Sequence, residues 1–239
     1  MCYVICGLKR VVIILKRNAI EDLIKWKSSE ERKPMVLKGA RQVGKTWLMK
    51  EFGKNYYNSY VYFNFDEEDE LKSIFEVNKN PYRIIELLSM IAGEKIIPGE
   101  TLVIFDEVQE CPEALNSLKY FKEKANDYHV IAAGSLLGTL LAKPKSYPVG
   151  MVNLLDIFPL TFDEFLEALD EPLYAYYCSI EKEQHIEEIF HNRLLEAYNY
   201  YLIIGGMPEC VTSWVKYKDP ARIARIQREL IEVYENAVS

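Results

Sequence analysis

The sequence predicts an α/β fold, a mainly parallel sheet flanked by helices and followed by a largely helical C-terminal region. Three observations carry this. The first is the octapeptide at residues 39–46, GARQVGKT, which fits the phosphate-binding Walker A pattern G-x-x-x-x-G-K-[ST]. An apolar run at 34–37 precedes it, and an amphipathic stretch with Trp47, Leu48 and Phe52 follows, giving the order strand, loop, helix. The second is the run TLVIF at 101–105, almost purely apolar, as expected of a strand buried on both faces of a parallel sheet. The third is the alternation of strand and helix patterns from 35 to about 156, which gives way after Pro159 to helical spacing alone.

The elements follow in order. Residues 18–27 read as a helix, with Ile20, Leu23, Ile24 and Trp26 on or near one face. The strand at 35–38 leads into the loop, and the helix that the loop opens should end near Phe52, with Gly53 as its cap. Residues 60–65, aromatic and β-rich, form a second strand. The acidic cluster at 66–70 suits either a helix N-terminus, favoured by the dipole, or a metal site. Pro81 opens a helix with Ile84, Ile85, Leu88 and Ile91 at buried-face spacing, and Pro98–Gly99 is a turn. A helix with Leu115, Leu118 and Phe121 connects the strand at 101–105 to another at 129–133, and a short strand is expected at 152–156. Thr161 and Glu164 form a capping box for a helix with Phe162, Phe165 and Leu166. Residues 186–204 and the segment opened by Pro220 complete the helical part.

Bulk properties narrow the function classes. The 239 residues are 49% hydrophobic and 27% charged, enough for a substantial core, and no repeat or low-complexity segment interrupts them. A net charge of −7 argues against a chain that coats nucleic acid over its whole surface, while leaving room for a local basic patch. The five cysteines (Cys2, Cys6, Cys111, Cys178, Cys210) show no C-x-x-C pair and fit reduced thiols in a cytoplasmic protein. The apolar run at 11–15, flanked by Lys9, Arg10, Lys16 and Arg17, is too short for a membrane span and lacks a cleavage pattern. No membrane association is expected.

The chemistry concentrates in three places. Gly39 and Gly44 let the loop curl so that its N–H groups face phosphate oxygens, with Ala40, Arg41, Gln42 and Val43 between them and Trp47 just beyond. Lys45 supplies positive charge to the β- and γ-phosphates, and the Thr46 hydroxyl is a candidate Mg²⁺ ligand. The strand at 101–105 ends in Asp106 and Glu107, a Walker B arrangement: Asp106 to hold the Mg²⁺ shell, Glu107 to orient or polarise the attacking water. Two carboxylates at the end of a buried strand would repel each other unless a cation were shared. Ser135, after the strand at 129–133, is the candidate γ-phosphate sensor, and an ordinary helix N-cap is an alternative, compatible role. ATP is favoured over GTP, because the nearest string to N-K-x-D, at 78–81, lacks the aspartate. Arg41, Arg193, Arg222, Arg225 and Arg228 are candidate arginine fingers that nothing distinguishes. The last three also form a helical stripe, either a solvated face or a contact for a nucleic-acid backbone.

The loop, NF at 64–65, TLVIFDEVQECP at 101–112, LKYF at 118–121, AAGSLLG at 132–138, FPLTFDEFL at 158–166 and YLIIGGMPE at 201–209 together resemble a bacterial and archaeal AAA-type ATPase family. Its members carry the ATPase domain followed by a C-terminal domain of unknown function, and the likeness covers roughly 16–235. The resemblance implies an additional-strand P-loop fold, with the sensor strand between the Walker A and Walker B strands. It also implies nucleotide binding at Gly44, Lys45 and Thr46, magnesium at Asp106 and water activation at Glu107. Similar members carry a basic residue in the segment that here reads PVGM at 148–151, so Met151 departs from the pattern and implies weak turnover. The resemblance also implies that the family continues beyond the tail at 234–239 into the rest of its second domain, so a shortened protein is expected.

The leading expectation is an ATPase domain at 14–160 and a helical region at 161–239 that begins an incomplete second domain. ATP·Mg²⁺ drives a switch, and Ser135 reports the γ-phosphate to the helices. By analogy with AAA-type proteins the chain is expected to self-associate. One alternative is a non-hydrolysing, ATP-bound adaptor that contacts DNA or a protein. The other is a P-loop kinase, which the short, arginine-free stretch at 141–148 disfavours as a lid.

Overall fold

The computed structural model describes residues 5–6, 9–10, 15–134 and 150–238, with side chains over 15–134 and 150–235. Contacts group them into two units. One comprises residues 19–157, and the other comprises the described residues of 1–18 together with 158–239. Near the N-terminus two short strands, β1 (Ile5–Cys6) and β2 (Lys9–Arg10), pair antiparallel.

The unit of residues 19–157 is built on one parallel sheet of β3 (Met35–Lys38), β4 (Ser59–Asn64), β5 (Thr101–Asp106), β6 (His129–Ala133) and β7 (Asn153–Asp156). Their spatial order is β4-β5-β6-β3-β7. Each neighbouring pair is parallel, with Phe105 opposite Phe63 and Ala132, and Val36 between Ala132 and Leu154. The strand at 129–133 therefore lies between the two Walker strands, as the family resemblance implies. All six residues of β5 are buried, which fits its unbroken apolar sequence.

The helices α1 (Ala19–Ser28), α2 (Lys45–Tyr56), α3 (Asp69–Val77), α4 (Pro81–Ala92) and α5 (Pro112–Lys124) complete this unit. The apolar faces of α3, α4 and α5 carry Phe75, Ile84, Leu88, Leu118 and Phe121 into a core shared with Phe63, Phe65 and Phe105 of the sheet region. Pro81 sits in the first turn of α4, where its missing N–H costs nothing, and the Asn80 side chain accepts from the Tyr82 N–H. Asp69 and Glu70 of the acidic cluster occupy the first turn of α3, and Asp69 pairs with Lys72 at 2.6 Å. Among the described residues no group of three His, Cys, Asp or Glu could hold a metal.

One boundary differs from expectation. α2 does not stop at Phe52 but continues through Gly53 to Tyr56. A Cβ on Gly53 would fall 2.8 Å from the Cβ of Tyr60, so this glycine serves the close approach of α2 to β4 rather than a helix end.

In the other unit, α6 (Phe162–Leu169), α8 (Glu188–Ile204), α9 (Pro208–Tyr217) and α10 (Pro220–Val238) pack around Phe165, Ile204, Trp214, Ile223, Ile226 and Leu230, while α7 (Glu171–Cys178) packs through Leu173 against Leu166 and Ala197. The capping box at the start of α6 is present, with both Thr161 and Glu164 bonded as the pattern requires. Glu164 does more than cap: its carboxylate also accepts from the Asn18 N–H at 2.7 Å and from Arg17 Nε at 3.3 Å, with both side chains buried. Leu160 donates its N–H to the Gly206 carbonyl at 2.7 Å, and its carbonyl accepts from the Tyr201 hydroxyl at 2.9 Å. A Cβ on Gly206 would lie 2.1 Å from that carbonyl oxygen. No helix among the described residues is long and apolar enough to cross a membrane.

Candidate functional site

The site is assembled where β3 and β5 end. The chain leaves Lys38 and turns at once, and Gly39 lies so close to β7 that a Cβ there would be 2.3 Å from the Ile157 carbonyl oxygen. Ala40, Arg41 and Gln42 are exposed, and Gln42 adopts a left-handed conformation (φ 61°). Val43 is fully buried and anchors the loop from beneath. Gly44 (φ 93°) takes the left-handed N-cap position of α2, which strongly favours glycine. The first turn of α2 then points amide N–H groups, which have no intrahelical acceptors, out of the helix N-terminus into the loop. The helix dipole adds partial positive charge there. That is the electrostatics of an anion cradle.

Lys45 and Thr46 begin this helix. Lys45 is buried, and its ammonium donates to the carbonyls of Gly39 at 2.9 Å and Ala40 at 2.7 Å, folding the side chain over the loop. Burial lowers its pKa, opposed by the negative charges of Glu107 and Asp106, and Arg41 lowers it further. The Thr46 hydroxyl donates to Asp106 Oδ2 at 2.6 Å. Trp47, on the same turn, stands at the surface and is 37% exposed.

Asp106, the last residue of β5, is only 3% exposed. Its Oδ2 accepts from Thr46 and also from the Tyr62 hydroxyl at 3.0 Å, while Oδ1 accepts from the Glu107 N–H at 3.0 Å. Glu107 leaves the strand in a left-handed conformation (φ 51°), which swings its side chain away from the line of β5 into a short 3₁₀ turn. Gln109 of that turn donates to Glu107 Oε2 at 2.5 Å. Lys45, Thr46, Asp106 and Glu107 thus converge, although the two Walker strings lie some sixty residues apart.

Ser135 and the stretch at 141–148 lie outside the described residues. Of the arginine candidates, Arg41 belongs to the loop. Arg193 pairs with Asp170 at 2.6 Å, Arg225 lies 3.7 Å from Glu229, and Arg222 lies 3.9 Å over the Tyr217 ring. Arg228 donates to the Ala224 carbonyl. Two residues at the site were not anticipated from the sequence. Tyr62 reads from the sequence only as part of an aromatic strand, although a tyrosine hydroxyl on a half-buried strand needs a partner. Gln109 lies inside the string DEVQ but carries no recognisable signature of its own.

The sequence matches the family model described as the AAA domain over residues 31–166, more than half of the chain. No curated protein matches it. Among solved structures it is similar to C. elegans PCH-2, at 13% identity and a TM-score of 0.50, covering 95% of this chain and 70% of that one. AMPPCP-bound DnaA from Aquifex aeolicus is also similar, at 14% identity and a TM-score of 0.45, covering 91% and 66%. The Aeropyrum pernix ORC1 protein in complex with DNA gives 13% and 0.40, covering 90% and 81%. The family match spans both Walker segments and the whole parallel sheet, and the chain belongs to the AAA domain family, a nucleotide-binding, ATPase-type fold.

Proposed function

We propose that the chain is a Mg²⁺-dependent ATPase that acts as a nucleotide-driven switch. The single observation that carries this is the 2.6 Å hydrogen bond from Thr46 to Asp106, which joins Walker A to Walker B beside Lys45 and Glu107. Gly39, Ala40, Arg41, Gln42, Val43, Gly44, Lys45, Thr46 and Trp47 form the nucleotide segment, with the loop amides and the start of α2 facing the phosphates. Lys45 exchanges the Gly39 and Ala40 carbonyls for β- and γ-phosphate oxygens.

A hydroxyl and a carboxylate in contact are the hard oxygen donors that Mg²⁺ prefers, so Thr46 and Asp106 fit it. When bound, Mg²⁺ neutralises charge developing on the β- and γ-phosphates. Glu107 accepts a proton from the attacking water. With Oε2 taken by Gln109, that proton goes to Oε1. Ser135 is assigned to sensing the γ-phosphate on its position after β6.

The test is ATP binding and phosphate release with Mg²⁺, comparing the wild type with Lys45→Ala and Glu107→Gln. Lys45→Ala should lose binding. Glu107→Gln should keep binding and slow hydrolysis by about 10²-fold or more, on the scale of losing one catalytic group. A wild type that does not bind ATP ends this reading.

A second reading, a slowly hydrolysing or non-hydrolysing adaptor that contacts DNA, draws on two observations. The family resemblance implies a basic residue where this chain has Met151. In the helical unit, Lys216 and Arg222 flank the exposed Tyr217 ring at 4.5 and 3.9 Å, next to Lys218 and the stripe of Arg225 and Arg228. ATP binding without phosphate release, together with salt-sensitive DNA binding, would favour it.

A further inference from the structure

The Asp106 carboxylate is held by three donors from three parts of the chain. Thr46 comes from α2, Glu107 contributes its own N–H, and the Tyr62 phenol reaches across from β4. Thr46 and Tyr62 share Oδ2, which fills that oxygen and leaves one lone-pair direction on Oδ1 beside the Glu107 N–H. We propose that Tyr62 is a positioning residue that fixes the Asp106 carboxylate for the divalent cation and so sets the Mg²⁺ concentration at which ATP binds tightly. This rests on the ATP·Mg²⁺ reading above.

The two donors on Oδ2 are not equivalent. The Thr46 oxygen is asked to serve the cation as well as to donate its proton, and it belongs to the loop that receives the phosphates. Tyr62 has one duty. A phenol is ordinarily protonated at neutral pH, so the hydroxyl that meets Asp106 Oδ2 at 3.0 Å donates. Its ring is fixed in turn by Lys50, one helical turn beyond Thr46, whose ammonium lies 3.4 Å from the ring centroid. Tyr62 therefore holds the carboxylate from the sheet, while Lys50 of α2 holds the Tyr62 ring. Partners behind a metal ligand act in this way, and losing one costs about 10–100-fold in metal affinity.

The phenol is half-buried and could find water instead, so a role in stability alone would leave the Mg²⁺ response untouched. Tyr62→Phe keeps the ring and the Lys50 contact and removes only the hydroxyl. Equilibrium displacement of a fluorescent ATP analogue by ATP, with MgCl₂ titrated, reads the effect without turnover. The expected result for Tyr62→Phe is a half-saturating Mg²⁺ concentration about tenfold higher, with ATP affinity in EDTA and the urea midpoint close to the wild type. An unchanged Mg²⁺ half-saturation in Tyr62→Phe overturns the assignment of Tyr62 and leaves the ATP reading standing. A wild type whose ATP binding ignores Mg²⁺ overturns both. Lys50→Met loosens the same ring from its other side and should raise the half-saturation by about two- to fivefold. Should Tyr62→Phe fail to fold, no change in Lys50→Met overturns the assignment alone.

Discussion

The Thr46 hydroxyl donates to Asp106 Oδ2 over 2.6 Å, tying the first turn of α2 to the end of β5. This contact makes a specific separation between two lysine and threonine functions. On the proposed reading, Lys45 would serve the phosphates whether or not a cation is present, whereas Thr46 would matter chiefly through the cation. Thr46→Val, which keeps the shape and removes the oxygen, should therefore leave ATP affinity in EDTA within about twofold of the wild type, since the lost group is not a phosphate donor. The gain in affinity on adding Mg²⁺ should vanish. Isothermal titration with and without Mg²⁺ measures both values, and a Thr46→Val protein that still responds fully to Mg²⁺ would refute the assignment.

Gly206 is required by its neighbours, and Gly39 by its neighbours together with a φ of 157° that side chains rarely adopt. An added Cβ would meet the Ile157 carbonyl oxygen at 2.3 Å in one case and the Leu160 carbonyl oxygen at 2.1 Å in the other. Backbone atoms cannot rotate aside as a side chain can, so each alanine must displace a chain segment. We expect Gly39→Ala and Gly206→Ala each to cost about 2–3 kcal/mol, in the range of overpacked sites. Gly93 is the control: it has a left-handed φ of 69° and nothing within 4 Å of the missing Cβ. Gly93→Ala should cost only about 1 kcal/mol, from backbone strain alone. Urea midpoints of the three variants decide it, and equal losses would mean that the close contacts yield more easily than their distances suggest.

The parts of this fold that were legible in the sequence are those set by patterns local in the chain. Unbroken apolar runs gave β5 and β6, Pro81 and the Thr161–Glu164 box marked two helix starts, and the glycine spacing gave the loop. Gly53 misled because a helix-ending glycine and a glycine yielding to Tyr60 look alike until β4 is placed against α2. The short helices α7 and α9 were hidden inside a stretch read only as helical in general. At the site, the Walker residues announced themselves by spacing. Tyr62 did not, because its link to Asp106 spans the sheet rather than the chain. Long-range hydrogen bonds leave no periodicity to read.

A pH dependence follows from a buried pair in the unit of residues 19–157. The Tyr57 hydroxyl and His129 Nδ1 lie 2.6 Å apart, and the Trp26 ring packs at the edge of the imidazole. Burial, followed by the charges of Arg32 and Lys27, lowers the His129 pKa to about 4. Burial raises the pKa of the Tyr57 phenol, so the phenol is the donor and Nδ1 accepts as the neutral imidazole. An unfolded histidine titrates near 6.5. Between about pH 6.5 and 4 the unfolded chain therefore takes up a proton that the native one refuses. Stability from this group is complete above that window and falls as the pH drops through it. Between pH 7 and pH 5 the loss should be about 1–2 kcal/mol. His129→Gln can still accept from Tyr57 but cannot charge, so it should be less stable than the wild type at pH 7 yet lose less on acidification. Carboxylates add their own slope in both proteins, and the difference between the two urea-midpoint profiles isolates the histidine. Parallel profiles from pH 7 to 5 would show that His129 protonates in the folded state as easily as in water.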